Sequence, residues 1–384
     1  MKRIVLTSMA MAAMQWAWSQ HFTLNGTLPD PDLSVNAYVY LSYKQMNETV
    51  LDSCQLKDQA YQFSGRISYP VSARLFLKVP DSVGDHYART HLLKPYEHEF
   101  YLDQGAITAR SEGKMIQTVV KGSAADKDRQ ELSGTIKAIY AKRNALYDKD
   151  REKAYKAKDS IAVANINRKY FAFEDDVDAA KLQFAQQHPK SGIALKLLME
   201  YFDSNIDPFI AGPLFDQLLP ALKASPEGVA FAKRLEKART IATGKDAPAV
   251  ALKDRDGKII SLASLKGKVV LLDFWGSWCY PCRMSHPHLK ALYEKFKPLG
   301  FEILGVSNER GEASTWYGKW VKALDEDQMS WLNVLNETAA TEKGKGVLEA
   351  YDVQAYPTKI LIDRDGKVLV KLVGNSEKNK ELLE

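Results

Sequence analysis

Cysteine is scarce: Cys54, Cys279 and Cys282 are the only three in 384 residues. A scaffold stapled by several disulfides in place of a core is thereby excluded. Long apolar runs are equally scarce. The one candidate, Ile4 to Ala17, is shorter than the roughly 20 residues that span a bilayer, and no later segment approaches that length. An excess of one charge is missing too. The formal net charge is +5, Lys2 and Arg3 supply two of those charges, and acidic and basic residues alternate through the rest. No basic stripe of the kind that binds nucleic acid results, so no nucleic-acid partner is expected.

What the N-terminus does hold is the grammar of an export signal. Lys2 and Arg3 form a positive n-region, followed by the mostly apolar stretch Ile4 to Ala17. Ala17-Trp18-Ser19 then fits the small-x-small rule, with cleavage before Gln20. The residue directly after the cleavage point is Gln20, not Cys, which argues against a lipid anchor. The mature chain is expected to be soluble and exported, in the periplasm or cell envelope. Disulfides persist in that compartment. Cys279 and Cys282 make a local pair, and the leftover Cys54 is expected to be a buried small apolar side chain rather than an intermolecular bridge.

Changes of composition divide the mature chain in three. Residues 20–122 hold short period-two segments rich in Val, Leu, Tyr and Phe, punctuated by Pro, Gly, Asn and Asp; these predict an antiparallel sandwich or barrel. Met115 to Lys121 reads as its last strand. His86, His91 and His98 have neither helical nor paired-strand metal spacing and read as exposed loop histidines. Residues 123–245 are rich in Ala, Lys, Leu and Glu and read as helix, with Ser225-Pro226-Glu227 as an N-cap followed by Pro. The charges between Asp126 and Asp159 read as a solvated helix face. Residues 246–384 alternate strand and helix, with Asp-Arg-Asp-Gly turn signals at Asp254–Gly257 and Asp363–Gly366. They predict a mixed sheet with helices on both faces.

Within this last segment, Val269 to Cys282 reads VVLLDFWGSWCYPC. An apolar strand delivering Cys-x-x-Cys to a helix start is the layout of a thiol–disulfide site. Unpaired N–H groups and the dipole of that helix favour a Cys279 thiolate, the attacking nucleophile. Cys282, about one turn on, lies within reach to resolve a mixed disulfide. Pro281 removes a donor and stiffens the turn at a helix start, where proline is tolerated. Asp273 is a lone carboxylate in an apolar strand, expensive to bury without a task. The helix from Arg283 to Lys297 is expected to be interrupted at Pro287.

These residues, with Ala355-Tyr356-Pro357-Thr358 farther on, resemble the thioredoxin fold and, more narrowly, the TlpA/ResA-like exported thiol–disulfide oxidoreductases. SLASLKGKVVLLDFW, the long insertion before Pro357 and ILIDRDGKV after it carry the same resemblance, which extends over about Asp246 to Val373. The preceding 120 or so residues resemble, more weakly, the β-rich domain and helical linker of Bacteroidetes envelope members. The resemblance implies a redox disulfide between Cys279 and Cys282, proton exchange between Asp273 and Cys282, and a cis bond before Pro357. It implies a substrate surface of Trp278, Tyr280, Pro281, Tyr356 and Pro357, with Trp275 in support. It implies no cofactor. Substrates are protein disulfides, among them those of cytochrome c apoproteins and mispaired envelope proteins, and a membrane electron donor recharges the dithiol. Thioredoxins also carry a lysine near the buried carboxylate on the next strand; Glu302 to Asn308 offers none. The stretch after Gly374 predicts a last helix of about two turns, shorter than is usual for the fold.

Two alternatives compete. Peroxiredoxin-like peroxidases share the fold, but their P-x-x-x-T-x-x-C arrangement is missing: Trp275, Gly276, Ser277 and Trp278 precede Cys279. A copper or zinc module could use Cys279, Cys282, His286 and His288. Seven residues between Cys279 and His286 amount to about 10 Å along a helix, too far for one tetrahedral site, so no metal is expected.

Overall fold

A computed structural model describes residues 20–30, 37–77, 96–337 and 346–384. The expected signal stretch 1–19 and His86 and His91 lie outside the described residues. Two compact units form. One takes in the described residues up to Tyr201 together with Pro213–Phe231; the other is Phe202–Gly212 with Ala232–Glu384. Their boundaries fall inside the helical stretch, not at its expected ends, 122/123 and 245/246. Hydrogen bonds show why. Arg234 donates to the carbonyls of Phe202 and Asp203, and Gly244 and Lys245 pair with the backbone of Val368.

In the N-terminal unit, β1 (Gln20–Thr27), β4 (Ala60–Ile67), β7 (Gly105–Arg110) and β8 (Val119–Lys121) make a sheet of order β4-β1-β7-β8. A second sheet of order β3-β2-β5-β6 contains β2 (Tyr38–Gln45), β3 (Glu48–Gln55), β5 (Val71–Leu77) and β6 (Glu97–Leu102). Alternate residues turn inward, as period two requires, and Phe22 of one sheet meets Tyr43 of the other at 6.1 Å. The expected antiparallel pattern has one exception: β1 and β7 pair in parallel, because the chain returns from the second sheet before adding β7. Three further details differ from expectation. Residues Met115–Gln117 form a 3-10 turn, leaving only Val119–Lys121 as strand. His98 is a half-buried residue of β6, stacked beside Phe100, not a loop histidine. Cys54 is half-buried, since β3 is an edge strand with no fully buried residue.

Seven helices follow: α1 (Ala124–Lys156), α2 (Ser160–Phe171), α3 (Phe173–Gln187), α4 (Ala194–Tyr201), α5 (Pro208–Asp216), α6 (Pro220–Lys223) and α7 (Pro226–Thr240). Ser225 accepts from the Gly228 N–H at the start of α7, the cap its sequence foretells. Among the described residues, no helix is long and apolar enough to cross a membrane.

The C-terminal unit is built on a seven-stranded sheet of order β10-β9-β13-β12-β11-β14-β15. Its members are β9 (Ala251–Lys253), β10 (Ile259–Ser261), β11 (Val269–Trp275), β12 (Phe301–Ser307), β13 (Leu332–Leu335), β14 (Thr358–Ile362) and β15 (Val368–Val373). β11 runs parallel to β12 and antiparallel to β14. A central strand covered on both faces explains its almost continuous apolar run. β13 escapes the sequence reading because Asn333 breaks a very short apolar stretch. The two hairpins share one device: Asp254 and Asp363 each accept from backbone N–H groups two and four residues on, and Gly257 and Gly366 take positive φ. Besides the parts of α5 and α7 that it takes in, this unit holds the helices α8 (Tyr280–Arg283), α9 (His286–Phe296), α10 (Trp316–Glu326), α11 (Val347–Ala350) and α12 (Glu377–Glu381), the last a little over one turn. The helix after the Cys pair breaks at Met284–Ser285, ahead of Pro287, which sits in the first turn of α9.

Candidate active site

Strand β11 ends at Trp275, and Gly276–Trp278 carries the chain to Cys279, the N-cap of α8. Cys279 and Cys282 are joined by a disulfide, with 5.3 Å between their Cα atoms. The Cys282 N–H points at Cys279 Sγ, 3.3 Å away. Because α8 is a single turn, its dipole is small, and this local N–H is positioned to donate to negative charge on that sulfur once the disulfide is reduced. Both cysteines are buried, Cys279 3% exposed and Cys282 0%.

Trp278 and Tyr356 pack against the cluster that holds the Cys pair, and the expected substrate-facing residues do not form a single rim. Tyr280 is 72% exposed, and Pro281 beside it is exposed too. Tyr356 is half-buried, stands edge-on to Trp278 at 5.3 Å, and has its hydroxyl pushed up to about 12 by burial. Pro357 is buried, and the Tyr356–Pro357 bond is cis. Tyr280 and Pro281 therefore face outward, whereas Tyr356 and Pro357 belong to the wall behind them. Trp275 is wholly buried against the disulfide with Trp316 and Trp320.

Residues far from the motif hold this segment in place, and sequence reading missed them. Glu309 is buried; its carboxylate accepts from the Ser277 N–H at 2.9 Å, the Ser277 hydroxyl at 2.5 Å and the Ser307 hydroxyl at 2.8 Å. The Trp278 indole N–H donates to the Asn308 carbonyl at 2.9 Å, and the Arg310 guanidinium lies 3.2 Å above the Trp278 ring. The loop after β12 thus clamps the loop after β11. The signal for it was Ser307-Asn308-Glu309 at the end of an apolar strand, the position where ligand and loop contacts gather in open α/β sheets.

Asp273, two residues before the end of β11, is 0% exposed, and neither carboxylate oxygen makes a hydrogen bond among the described residues. Its charge is nevertheless answered. Lys359 Nζ stands 3.3 Å from Oδ1 as a buried ion pair. Glu302–Asn308 holds no lysine, as the sequence shows, and the cation beside Asp273 comes instead from β14. Lys359 is opposite Asp273 in the antiparallel register, a relation invisible until the strands are paired.

His286, the candidate ligand of the metal alternative, is buried with Nδ1 2.7 Å from Asp327 Oδ2 and its ring against Trp275. Arg283 also bonds Asp327, at 2.6 Å and 3.0 Å. Burial alone would raise the Asp327 carboxyl; the Arg283 and His286 hydrogen bonds outweigh that and hold it below its usual range. Among the described residues no three His, Cys, Asp or Glu side chains gather as a metal site.

Residues 243–371 match the AhpC/TSA family, and residues 22–128 match a domain of unknown function (DUF4369). Over 141 residues the chain is 40% identical to the thiol-disulfide oxidoreductase ResA of Bacillus cereus (strain ZK / E33L), covering 37% of this chain and 74% of that one. ResA of Bacillus subtilis (strain 168) is 37% identical over 135 residues, covering 35% and 69%. Among solved structures, the thioredoxin domain of a thiol-disulfide oxidoreductase from Bacteroides vulgatus is 36% identical, covers 37% of this chain and 99% of that one, and superposes with a TM-score of 0.32.

Proposed function

The chain belongs to the ResA-like thiol–disulfide oxidoreductases, and from that premise we propose that it is an exported reductase of protein disulfides in the cell envelope. The observation that carries the reading is the Cys279–Cys282 disulfide just past the end of β11, next to the exposed Tyr280. In the reduced protein, Cys279 thiolate attacks one sulfur of a substrate disulfide, and the other sulfur leaves as thiolate and takes a proton from water. Cys282 gives its proton to Asp273, attacks Cys279 Sγ and releases the second substrate sulfur. The chain ends oxidised and the substrate reduced by two electrons. Trp278, Tyr280 and Pro281 would receive the substrate chain, with Tyr356 and Pro357 forming the wall beside it.

Export rests on the signal-type residues before Gln20. An oxidising compartment refills such a dithiol only from outside the protein, hence a membrane electron donor. Cytochrome c apoproteins and mispaired envelope proteins are the substrate classes to try first. The deciding measurement is the reduction potential of the Cys279–Cys282 couple. A value toward the reducing end, about −270 mV, supports the reductase; one near about −120 mV overturns it in favour of an oxidant. The match to the AhpC/TSA family makes peroxide reduction the second reading. Hydrogen peroxide consumption far slower than disulfide reduction dismisses it. Mature protein recovered outside the cytoplasm and beginning at Gln20 supports export, and an uncleaved cytoplasmic chain refutes it.

A further inference from the structure

The net charge of the chain is gathered in one place. Residues 142–171, the far part of α1 and the whole of α2, hold nine Lys and Arg against four Asp and Glu. That surplus equals the +5 of the entire sequence, so the residues outside this stretch are balanced. The two helices form a hairpin with almost no core. α1 runs for 33 residues, about 50 Å at roughly 1.5 Å per residue, and buries only Ala125, Asp126, Leu132 and Ala154; α2 buries none. Polar contacts hold the hairpin together instead. The Arg143 guanidinium lies 4.1 Å from the Tyr170 ring and pairs with Glu174 at 3.2 Å, and Arg151 donates to Asn167 at 2.9 Å. Among the described residues, Lys142, Lys149, Lys153, Lys158, Arg168 and Lys169 form no ion pair. Beside the turn, two large side chains stand in water, Ile161 at 74% exposure and Tyr155 at 51%.

We propose that the tip of this hairpin, Lys149 to Ile161, is a docking surface for an anionic lipid bilayer. The inference goes beyond the redox reading and does not depend on it. Lysines around an isoleucine and a tyrosine match the two layers of a membrane surface. Ammonium groups on long stems reach the phosphate headgroups, while the apolar side chains enter the boundary beneath. Tyrosine suits that boundary because its ring is apolar and its hydroxyl polar. Other occupants fit less well. A second copy would bring an equal positive charge against this one. A folded acidic protein needs a packed interface of about 800 Å² on each side. Here the exposed apolar side chains, Ile161 and Tyr155 with Leu146 and Phe171 farther back, are spaced apart among charged residues. A fluid surface conforms to such a tip, and a rigid partner does not.

The test is co-sedimentation of the mature chain, beginning at Gln20, with vesicles of two compositions. One is phosphatidylcholine alone; the other is equal parts phosphatidylglycerol and phosphatidylcholine. Wild type should bind the anionic vesicles at least about tenfold more tightly, and should lose most of that binding in about 500 mM salt. Lys149→Glu/Lys153→Glu/Lys156→Glu should weaken binding at least about tenfold. Lys44→Glu/Lys57→Glu/Lys121→Glu changes the net charge equally at exposed positions elsewhere in the same unit, and should weaken it less than about threefold. Ile161→Ser should weaken it about threefold or more. Helix content by circular dichroism should be the same in all variants. Equal binding to both vesicles, a tip variant that binds like wild type, or an equal loss from the control triple overturns the proposal. So does a dimer that the tip variant dissolves, which gives the surface to a second copy. Capture by polyglutamate without vesicle binding gives it to an acidic protein and overturns the proposal as well. Should the tip triple not fold, wild type in salt and Ile161→Ser decide, and binding that neither weakens overturns it.

Discussion

The two faces of strand β11 are equally buried but differ in what they bury. Val270, Leu272 and Phe274 turn to one side, into an apolar cluster with Leu304, Val306 and Ile360. Leu271, Asp273 and Trp275 turn to the other, where Lys359, Ser285 and His286 are also buried. The first face gains stability from area removed from water, about 25 cal/mol per Å². The second buries charges whose desolvation cost a mutual attraction offsets only in part. One strand of seven residues therefore separates a purely apolar face from one on which the apolar packing of Leu271 and Trp275 is interrupted by buried polar groups.

Four changes test that separation, in decreasing size of effect. Cys279→Ser should lower disulfide reductase turnover by more than about 1,000-fold, with melting of the reduced protein nearly unchanged. Its counterpart, Cys282→Ser, should leave a trapped mixed disulfide visible by non-reducing electrophoresis or mass. On the apolar face, Leu272→Ala should destabilise the unit by about 2 to 5 kcal/mol in denaturant titration. The reduction potential of the folded fraction should stay where it is; a potential that moves would break the division between the faces. Glu309→Ala leaves the Ser277 N–H and two hydroxyls without their buried acceptor, a loss of about 1 to 3 kcal/mol. Because Ser277 leads directly to Trp278 and Cys279, turnover should fall with it, and rescue by Glu309→Gln should be partial.

The smallest effect concerns acid. Since the folded Asp327 carboxyl sits below its ordinary value of 3.8, the unfolded chain binds a proton there first as pH falls. The stabilisation is complete above that value and is lost as pH drops through the folded one. Acid titration of stability should show wild type losing up to about 1 kcal/mol more than Asp327→Asn across this window. Equal losses would mean that the Arg283–His286 contacts contribute nothing.

What sequence could and could not disclose follows from the distance between partners. Cys279, Cys282 and Asp273 were legible because strand, turn and helix start are consecutive, and the hairpins were legible from Asp-Arg-Asp-Gly. Lys359 was not legible. It looks like any lysine in a strand until β14 is laid against β11 in one register, when it falls opposite the carboxylate. Thioredoxin precedent pointed to β12, the wrong neighbour, where Gly305 stands. Glu309 was missed for the same reason: its bonds to Ser277 join two loops that only the parallel β11–β12 pairing brings together. The division of the helical stretch between units was hidden as well, because composition reports helix but not what a helix packs against.

The pairing across β14 also bears on how portable the site is. A graft of Trp275 to Cys282 with its strand into another sheet of this type would carry the sulfurs, the buried carboxylate and the entering tryptophan. It would leave behind the cation, which travels on a hairpin two residues past Pro357. The transplant would fold around a charge with no mate, or not fold. The minimum unit for engineering is therefore a pair of strands, and a variant library confined to the Cys-x-x-Cys loop samples only half of the site.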